Sequence, residues 1–398
     1  MKWKQRRVGD LCKVGRGSSP RPKGDPQYFD GGTIPWIKVA DATSSGKYLL
    51  ETKETVNSYG ATFSRLLPIG SLIICTSGTL GLTKFLGIEG CIHDGWLYTY
   101  NYNGLDPEFF YYFLQTQREY FQSVASGAAI QNISTEILRN TPINLPSLAE
   151  QIRIASVLSA YDDLIENNRR RMALLEESAR LLYQEWFVRL RFPGHEHVRF
   201  TNGVPEGWDA GVIEDFYKTA SGGTPSRTVP EYFTGDIPWV KTQELPNGFI
   251  LDTNEKITED AVKYSSAKIF PNRTLLVALY GATVGEVGIL SMEAATNQAC
   301  CAVMPKDDRA HFVHSYLFFR ENKSQLMALS AGAAQNNISQ QIIREYKMVM
   351  PPKSLMSVFA GALEPAFGQS LNLARQNEKL RAARDLLLPR LMSGEVAV

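Results

Sequence analysis

Thr33-Ile34-Pro35-Trp36-Ile37-Lys38 returns further along the chain as Asp236-Ile237-Pro238-Trp239-Val240-Lys241. The match extends outward in both directions. Before it, Trp3, Val8 and Asp10 answer Trp208, Ile213 and Asp215, and Gly15-Arg16-Gly17-Ser18-Ser19-Pro20 answers Ala220-Ser221-Gly222-Gly223-Thr224-Pro225. After it, Ser77-Gly78-Thr79-Leu80-Gly81 answers Tyr280-Gly281-Ala282-Thr283-Val284-Gly285, and Gly127–Ser134 (GAAIQNIS) answers Gly332–Ser339 (GAAQNNIS). A period of about 205 residues is far longer than any solenoid repeat, so the chain contains one domain copied once.

Each copy has two parts. The first mixes short apolar runs with Gly, Pro and Asn punctuation. Leu66–Cys75 and Pro271–Leu279 each read as a turn entering a buried strand, and short helices are expected near 107–123 and 311–329. The second part changes period. Ser147–Leu190 lacks Pro and Gly, and Leu158, Tyr161, Ile165, Asn168, Met172, Leu175, Ala179, Leu182 and Trp186 recur at three- and four-residue steps. That spacing draws one stripe along a helix. Ser147 and Glu150 form a capping-box pattern, and Pro193-Gly194 is the expected stop. A second stripe, Leu373, Asn377, Leu380, Leu387 and Leu391, closes at Ser393-Gly394, with Pro365 expected to kink or interrupt that helix near its start. Two exposed stripes on one chain predict two long helices pairing as an antiparallel coiled coil. Asn168 and Asn377 either pin its register or face solvent.

The fold class is therefore α+β: two duplicated mixed α/β domains separated by long helices. The boundaries read 1–146, first domain; 147–192, central helix; 193–352, linker and second domain; 353–398, distal helix.

Composition narrows the class. Apolar residues at 44% and charged residues at 21% are those of an ordinary globular chain. No apolar h-region follows the basic start, no run reaches membrane-spanning length, and the five cysteines form no CxxC pair; a cytoplasmic protein with reduced thiols is expected. The net charge of +1 announces no polyanion binder. Residues 1–146 hold 15 basic and 12 acidic side chains, but residues 200–352 hold 13 against 17, so DNA binding there must use a local basic face.

The duplicated Ile-Pro-Trp-Val-Lys block (Ile237–Lys241), the Ser-Gly-Gly-Thr-Pro turn (Ser221–Pro225), the GAAQNNIS close, Leu145–Ile152 at the central helix entry and Leu388–Val396 at the distal end together resemble the specificity subunits of type I restriction-modification enzymes. The resemblance covers essentially the whole chain. Two departures stand out: the second helix has Ser354-Leu355-Met356-Ser357 in place of the Glu-Gln entry, and the first domain has Arg16-Gly17-Ser18-Ser19-Pro20 where Gly-Gly-Thr-Pro is usual. The resemblance implies two target recognition domains, each reading half of a split site on double-stranded DNA, with the helices as a ruler. It also implies two methylation subunits docked on the chain and motor-nuclease restriction subunits completing the complex. S-adenosylmethionine, ATP and Mg would belong to those partners, with no cofactor here.

Candidate DNA contacts follow from residue type. Lys38 and Lys241 keep their charge in both copies of the repeated block and suit phosphate; Trp36 and Trp239 beside them read as packing aromatics. Arg16, Arg21 and Lys23 form a basic Gly/Pro loop, with Arg227 alone in the second copy. Ser77 and Thr79, and Tyr280 and Thr283, lie on Gly-rich loops that lack the Gly-Lys-Ser/Thr ending of a P-loop; they either approach DNA or simply turn a strand. Lys84 completes the set. Gln131-Asn132 and Asn336-Asn337 could read adenine, but Ser134 and Ser339 just after them favour a capping or turn role. His195-Glu196-His197 and His311/His314 lack further ligands nearby and read as structural rather than as zinc sites.

The alternative class is a DNA methyltransferase or nuclease with a built-in reader. It would need a Gly-rich cofactor loop opening a Rossmann-type unit, or a repeated carboxylate–lysine cluster. Neither occurs in the sequence. A third possibility is a scaffold that binds only protein. The expectation is a DNA-reading subunit with no catalytic residues and no metal.

Overall fold

The computed structural model describes residues 3–126, 132–246, 248–329 and 337–398. It divides into two compact units, Met1–Asn167 with Asn377–Val398, and Asn168–Gln376. Each long helix therefore gives one part to each unit.

In the first unit, a five-stranded sheet runs in the spatial order Lys13–Arg16, Trp96–Tyr100, Leu72–Cys75, Thr83–Leu86, Tyr48–Leu49. Its neighbours are antiparallel except the last pair, Tyr48↔Phe85, which is parallel. A four-stranded sheet orders Glu54–Val56, Ile34–Ile37, Gly90–Ile92, Arg65–Leu67, with Ile34–Ile37 parallel to Gly90–Ile92. The second unit repeats this strand for strand. Its sheets run Tyr217–Ser221, Cys300–Pro305, Leu275–Ala278, Val287–Leu290, Gly248–Ile250, and Lys256–Ile257, Ile237–Val240, Ala294–Thr296, Ile269–Phe270. Both parallel pairings recur. Runs such as Leu72–Cys75 and Leu275–Ala278 are buried at every residue, which is why they read as unbroken apolar stretches rather than alternating ones.

Helices Pro107–Thr116 and Phe312–Glu321 cover the five-stranded sheets and are dense in core aromatics, among them Phe109, Phe110, Tyr112 and Phe319. Short helices Thr135–Asn140 and Gln340–Glu345 start at Ser134 and Ser339, whose hydroxyls each accept an N–H at 3.1 Å, from Ile137 and Ile342. The capping role expected of both serines is what the structure shows. Asn132 and Asn337 precede them; Gln131 and Asn336 lie outside the described residues.

The central helix is α-helical over Leu148–Tyr183, then widens into a π turn, Gln184–Val188, that seats Trp186 in the core. The regular helix thus ends before Pro193-Gly194, because a π turn re-aims its side chains to fill the apolar cluster beside it. At its start Ser147 Oγ accepts the Glu150 N–H at 3.3 Å, but Glu150 Oε1 takes the Trp3 indole N–H at 3.3 Å, so only half of the capping box forms. Gln151 is wholly buried. It accepts from Asp106 N at 2.8 Å and donates to the carbonyls of Gly104 and Pro146 at 3.0 Å, tying the helix start to the loop before Pro107. Met356 occupies the matching place in the second copy and is buried among apolar side chains. The departure seen in the sequence therefore exchanges a polar tie for packing.

The distal helix runs unbroken over Lys353–Ser393, and Gly394 leaves it at φ +76°. Of the two outcomes expected at Pro365, a kink or an interruption, the continuous helix excludes the interruption. In each unit the helices pack antiparallel. In the first, Arg153 Nε reaches Val398 O at 3.0 Å, Arg384 pairs with Asp162, and Leu391 joins Ile154, Ala155 and Leu158. In the second, Phe359 meets Tyr183 and Trp186 with centroids 6.3 and 5.5 Å apart. Of the expected stripe, Leu158, Ile165, Trp186, Leu373 and Leu391 are buried, while Met172, Leu175, Leu182, Leu380 and Leu387 are half-buried. Asn168 and Asn377 are buried, which excludes the solvent-facing alternative.

Candidate nucleic-acid interface

The repeated Trp-x-Lys block enters the site through its strand. In Ile34–Ile37 and Ile237–Val240 the tryptophans point inward, 4% and 2% exposed, and the following lysine leaves the strand end with its backbone N–H capped by a carboxylate (Asp41 at 2.9 Å, Glu244 at 2.8 Å). The lysine ammonium then meets an acid at the start of the neighbouring strand: Lys38 pairs with Glu54, the strand's first residue, and Lys241 with Glu255, just ahead of it, at 2.5 Å. The two copies place the same cation in the same frame.

In the first unit Lys23, Lys38, Ser77 and Thr79 line one cleft, together with Lys53 and His93, which sequence reasoning missed. Lys53 follows no repeated pattern, and nothing in its sequence neighbourhood marks it. Arg21 and Lys23 converge on Asp94 at 2.6 and 3.5 Å, and Ser19 Oγ donates to the same carboxylate at 3.0 Å. Burial works against the ionised Asp94, yet the Ser19 bond and the Lys23 and Arg21 charges hold its carboxyl below the usual range. Arg16 Nε donates to Asp94 O at 3.0 Å, so the whole basic loop is organised by one residue. Its second-copy counterpart is Gln298, which accepts from Thr224 as Asp94 does from Ser19. The glycine two residues before that serine or threonine is dictated by close approach: a Cβ on Gly17 would lie 2.1 Å from His93 O, and one on Gly222 2.1 Å from Thr296 O.

The Gly-rich loops are tight turns between core strands, with Gly78, Gly81, Gly281 and Gly285 at φ between +74° and +79°. A plain turn accounts for their glycines. Their outer residues remain available: Ser77 and Tyr280 are exposed, Thr79 and Thr283 half-exposed. Ile133 N and Ile338 N bond to the carbonyls of Thr76 and Leu279 at 3.0 and 2.9 Å, which places Asn132 and Asn337 at the base of those turns. Lys84 is a correction. It is 7% exposed and its ammonium donates to the carbonyls of Ser45 and Gly46 at 2.7 and 2.5 Å, because its strand is covered on both faces. It lines no open surface. In the second unit Arg227 joins Lys241 on Glu255, whose carboxyl is held low by the Arg227 and Lys241 hydrogen bonds.

Among the described residues no group of three His, Cys, Asp or Glu side chains is placed to hold a metal. His314 is buried, with Nδ1 3.0 Å from the Tyr217 hydroxyl and its ring 4.8 Å from Phe187. Burial drives its pKa down to about 3. The folded protein therefore keeps it neutral while the unfolded chain protonates it below about pH 6.5, so stability present above that pH is lost as pH falls toward 3. Relative to His314→Gln, the wild-type chain should lose about 1.4 kcal/mol per pH unit below 6.5. Denaturant midpoints of both proteins at pH 7, 5.5 and 4.5 check this; a stability gap independent of pH would contradict it.

The family model described as "Type I restriction modification DNA specificity domain" matches residues 1–177 and 205–364, once in each half. The chain is 24% identical to the type I restriction enzyme MjaIX specificity subunit of Methanocaldococcus jannaschii, over 100% of this chain and 94% of that protein. It is also 24% identical to the HindI specificity subunit of Haemophilus influenzae, over 79% and 80%. The crystal structure of a type I restriction-modification S subunit from M. genitalium shares the fold at a TM-score of 0.59, with 15% identity over 98% of this chain and 96% of that one.

Proposed function

Since this chain belongs to the type I restriction-modification DNA specificity family, we propose that each of its two units reads one half of a split site on double-stranded DNA through the loop face described above. Its part is DNA sequence recognition, without catalysis of its own. No helix among the described residues is long and apolar enough to cross a membrane.

The observation that carries the two-reader proposal is the duplicated site. Lys38 and Lys241 leave equivalent strands, and equivalent Asn-bearing segments meet equivalent glycine turns, in two units of one topology. The long helices would fix the spacer between half-sites and, with adjoining domain surfaces, receive two methylation subunits, with restriction subunits completing the complex. S-adenosylmethionine, ATP and Mg would be held by those partners.

Both lysines rest against carboxylates; the Lys38–Glu54 pair is exposed, and such pairs are worth roughly 0–1 kcal/mol, while Lys241–Glu255 is partly buried. A DNA phosphate can replace the acid at small cost, while the pairing keeps the ammonium extended beforehand. Lys38→Ala and Lys241→Ala should each weaken binding to all DNA similarly and flatten the log–log salt dependence by about 0.9 per lost phosphate contact. Binding isotherms across a salt series test this. An unchanged slope in both variants would place these lysines away from the backbone.

A further inference from the structure

The two copies differ above one shared feature. Phe29 meets Trp36 edge-on at 6.0 Å in the first unit, and Phe233 meets Trp239 edge-on at 5.8 Å in the second. In the first unit this pair lines the open cleft. In the second, the Arg227 guanidinium lies 4.0 Å from the Phe233 centroid and 5.3 Å from that of Trp239. Its Nη1 is 2.7 Å from Glu255 Oε2, while Lys241 occupies the other oxygen. The first copy has no arginine there: the offset slips by one between Pro20/Pro225 and Tyr28/Tyr232, so Arg227 falls opposite Pro22 or Lys23, and Arg21 and Lys23 both turn to Asp94.

A guanidinium packed over a ring and held by a carboxylate has lost its rotational freedom, yet the Arg227 side chain remains 54% exposed. A side chain held in this way can offer the rest of its fork of donors in a fixed orientation. Phosphate binding gains little from such orientation: it needs charge, which Lys241 already supplies on the same carboxylate. A base edge is neutral and gains from orientation instead. It needs two N–H groups at fixed separation and angle, which is the match between arginine and guanine O6/N7.

We propose that Arg227, packed over Phe233 and beside Trp239, reads a guanine in the half-site of the second unit, with Glu255 as a positioning residue. This rests on the reading of that unit as a DNA reader. The test uses the full chain assembled with a cognate methylation subunit and a DNA library randomised over both half-sites, comparing wild type with Arg227→Lys, Arg227→Ala and Glu255→Gln.

Arg227→Lys keeps the charge and removes the fork. It should lose roughly 5- to 150-fold preference for guanine at one position of one half-site. Its salt slope and the other half-site should stay unchanged. Glu255→Gln should lower the same preference by a smaller factor and touch no other position. Uniform weakening of Arg227→Ala on all sequences, with the guanine preference intact and the salt slope reduced by about one, would overturn the proposal and make Arg227 a phosphate contact. Unaltered binding of all three variants to every sequence would overturn it as well, and would remove this face of the second unit from the DNA interface altogether.

Discussion

Arg384→Ala is expected to destabilise the first unit by about 3–5 kcal/mol, the range for removing one partner of a buried ion pair. Arg384 is 25% exposed at its side chain and Asp162 only 7%. The Asp162 carboxylate takes the Arg384 guanidinium on one oxygen and the Tyr112 hydroxyl, at 2.6 Å, on the other. Truncating the arginine leaves an anion in a protein interior with one neutral donor, and that uncompensated charge, rather than the lost attraction, dominates the cost. The duplication supplies the control. One period on, Asp162 corresponds to Phe367, and Ala179 is the counterpart of Arg384; both lie in one apolar cluster of the second unit. Asp162→Phe combined with Arg384→Ala copies that solution and should recover most of the loss, since apolar replacement of a buried pair is often neutral or stabilising. Urea unfolding of the three proteins decides it. A single variant within about 1 kcal/mol of wild type, or a double variant no better than the single, would contradict this account of the pair.

The contrast between Asp162–Arg384 and Phe367–Ala179 also shows what the sequence could not disclose. Periodicity reports which face of a helix is buried, and it located both helices, their antiparallel pairing and the strands under them. It does not report what lies opposite. Lys47 is the clearest case: its ammonium is buried against Glu108 and Ser159, joining the sheet edge, the Pro107–Thr116 helix and the central helix, and nothing in its sequence neighbourhood marks it. Lys84 fails in the reverse sense. A lysine near a glycine turn suits phosphate by type, but strand alternation cannot say that both sheet faces are covered. The repeated Lys38 and Lys241 were legible because two copies preserve charge and neighbours together. Their acids were not, since Glu54 and Glu255 arrive from a strand paired alongside, a relation set by tertiary register. Pro365 shows the limit of a local rule: the distal helix continues through it.

Exchanging residues 1–146 for the first domain of another family member should change one half of the recognised site and leave the other half as it was. The first unit builds its loop face, with Lys23, Lys38, Ser77 and Thr79, entirely within that stretch. The second unit's Arg227, Lys241, Tyr280 and Thr283 all lie outside it. A donor that retains the acid and tyrosine of the Pro107–Thr116 helix would preserve seating on Ser159 and Asp162. The effect should be large, because mismatched base pairs cost about 1–3 kcal/mol each and a replaced half-site contains several. Mapping methylated bases in cells that carry the chimera with its methylation subunit tests the two-reader account most directly. It predicts a site with one new half, one old half and the original spacer; a site altered in both halves would contradict it.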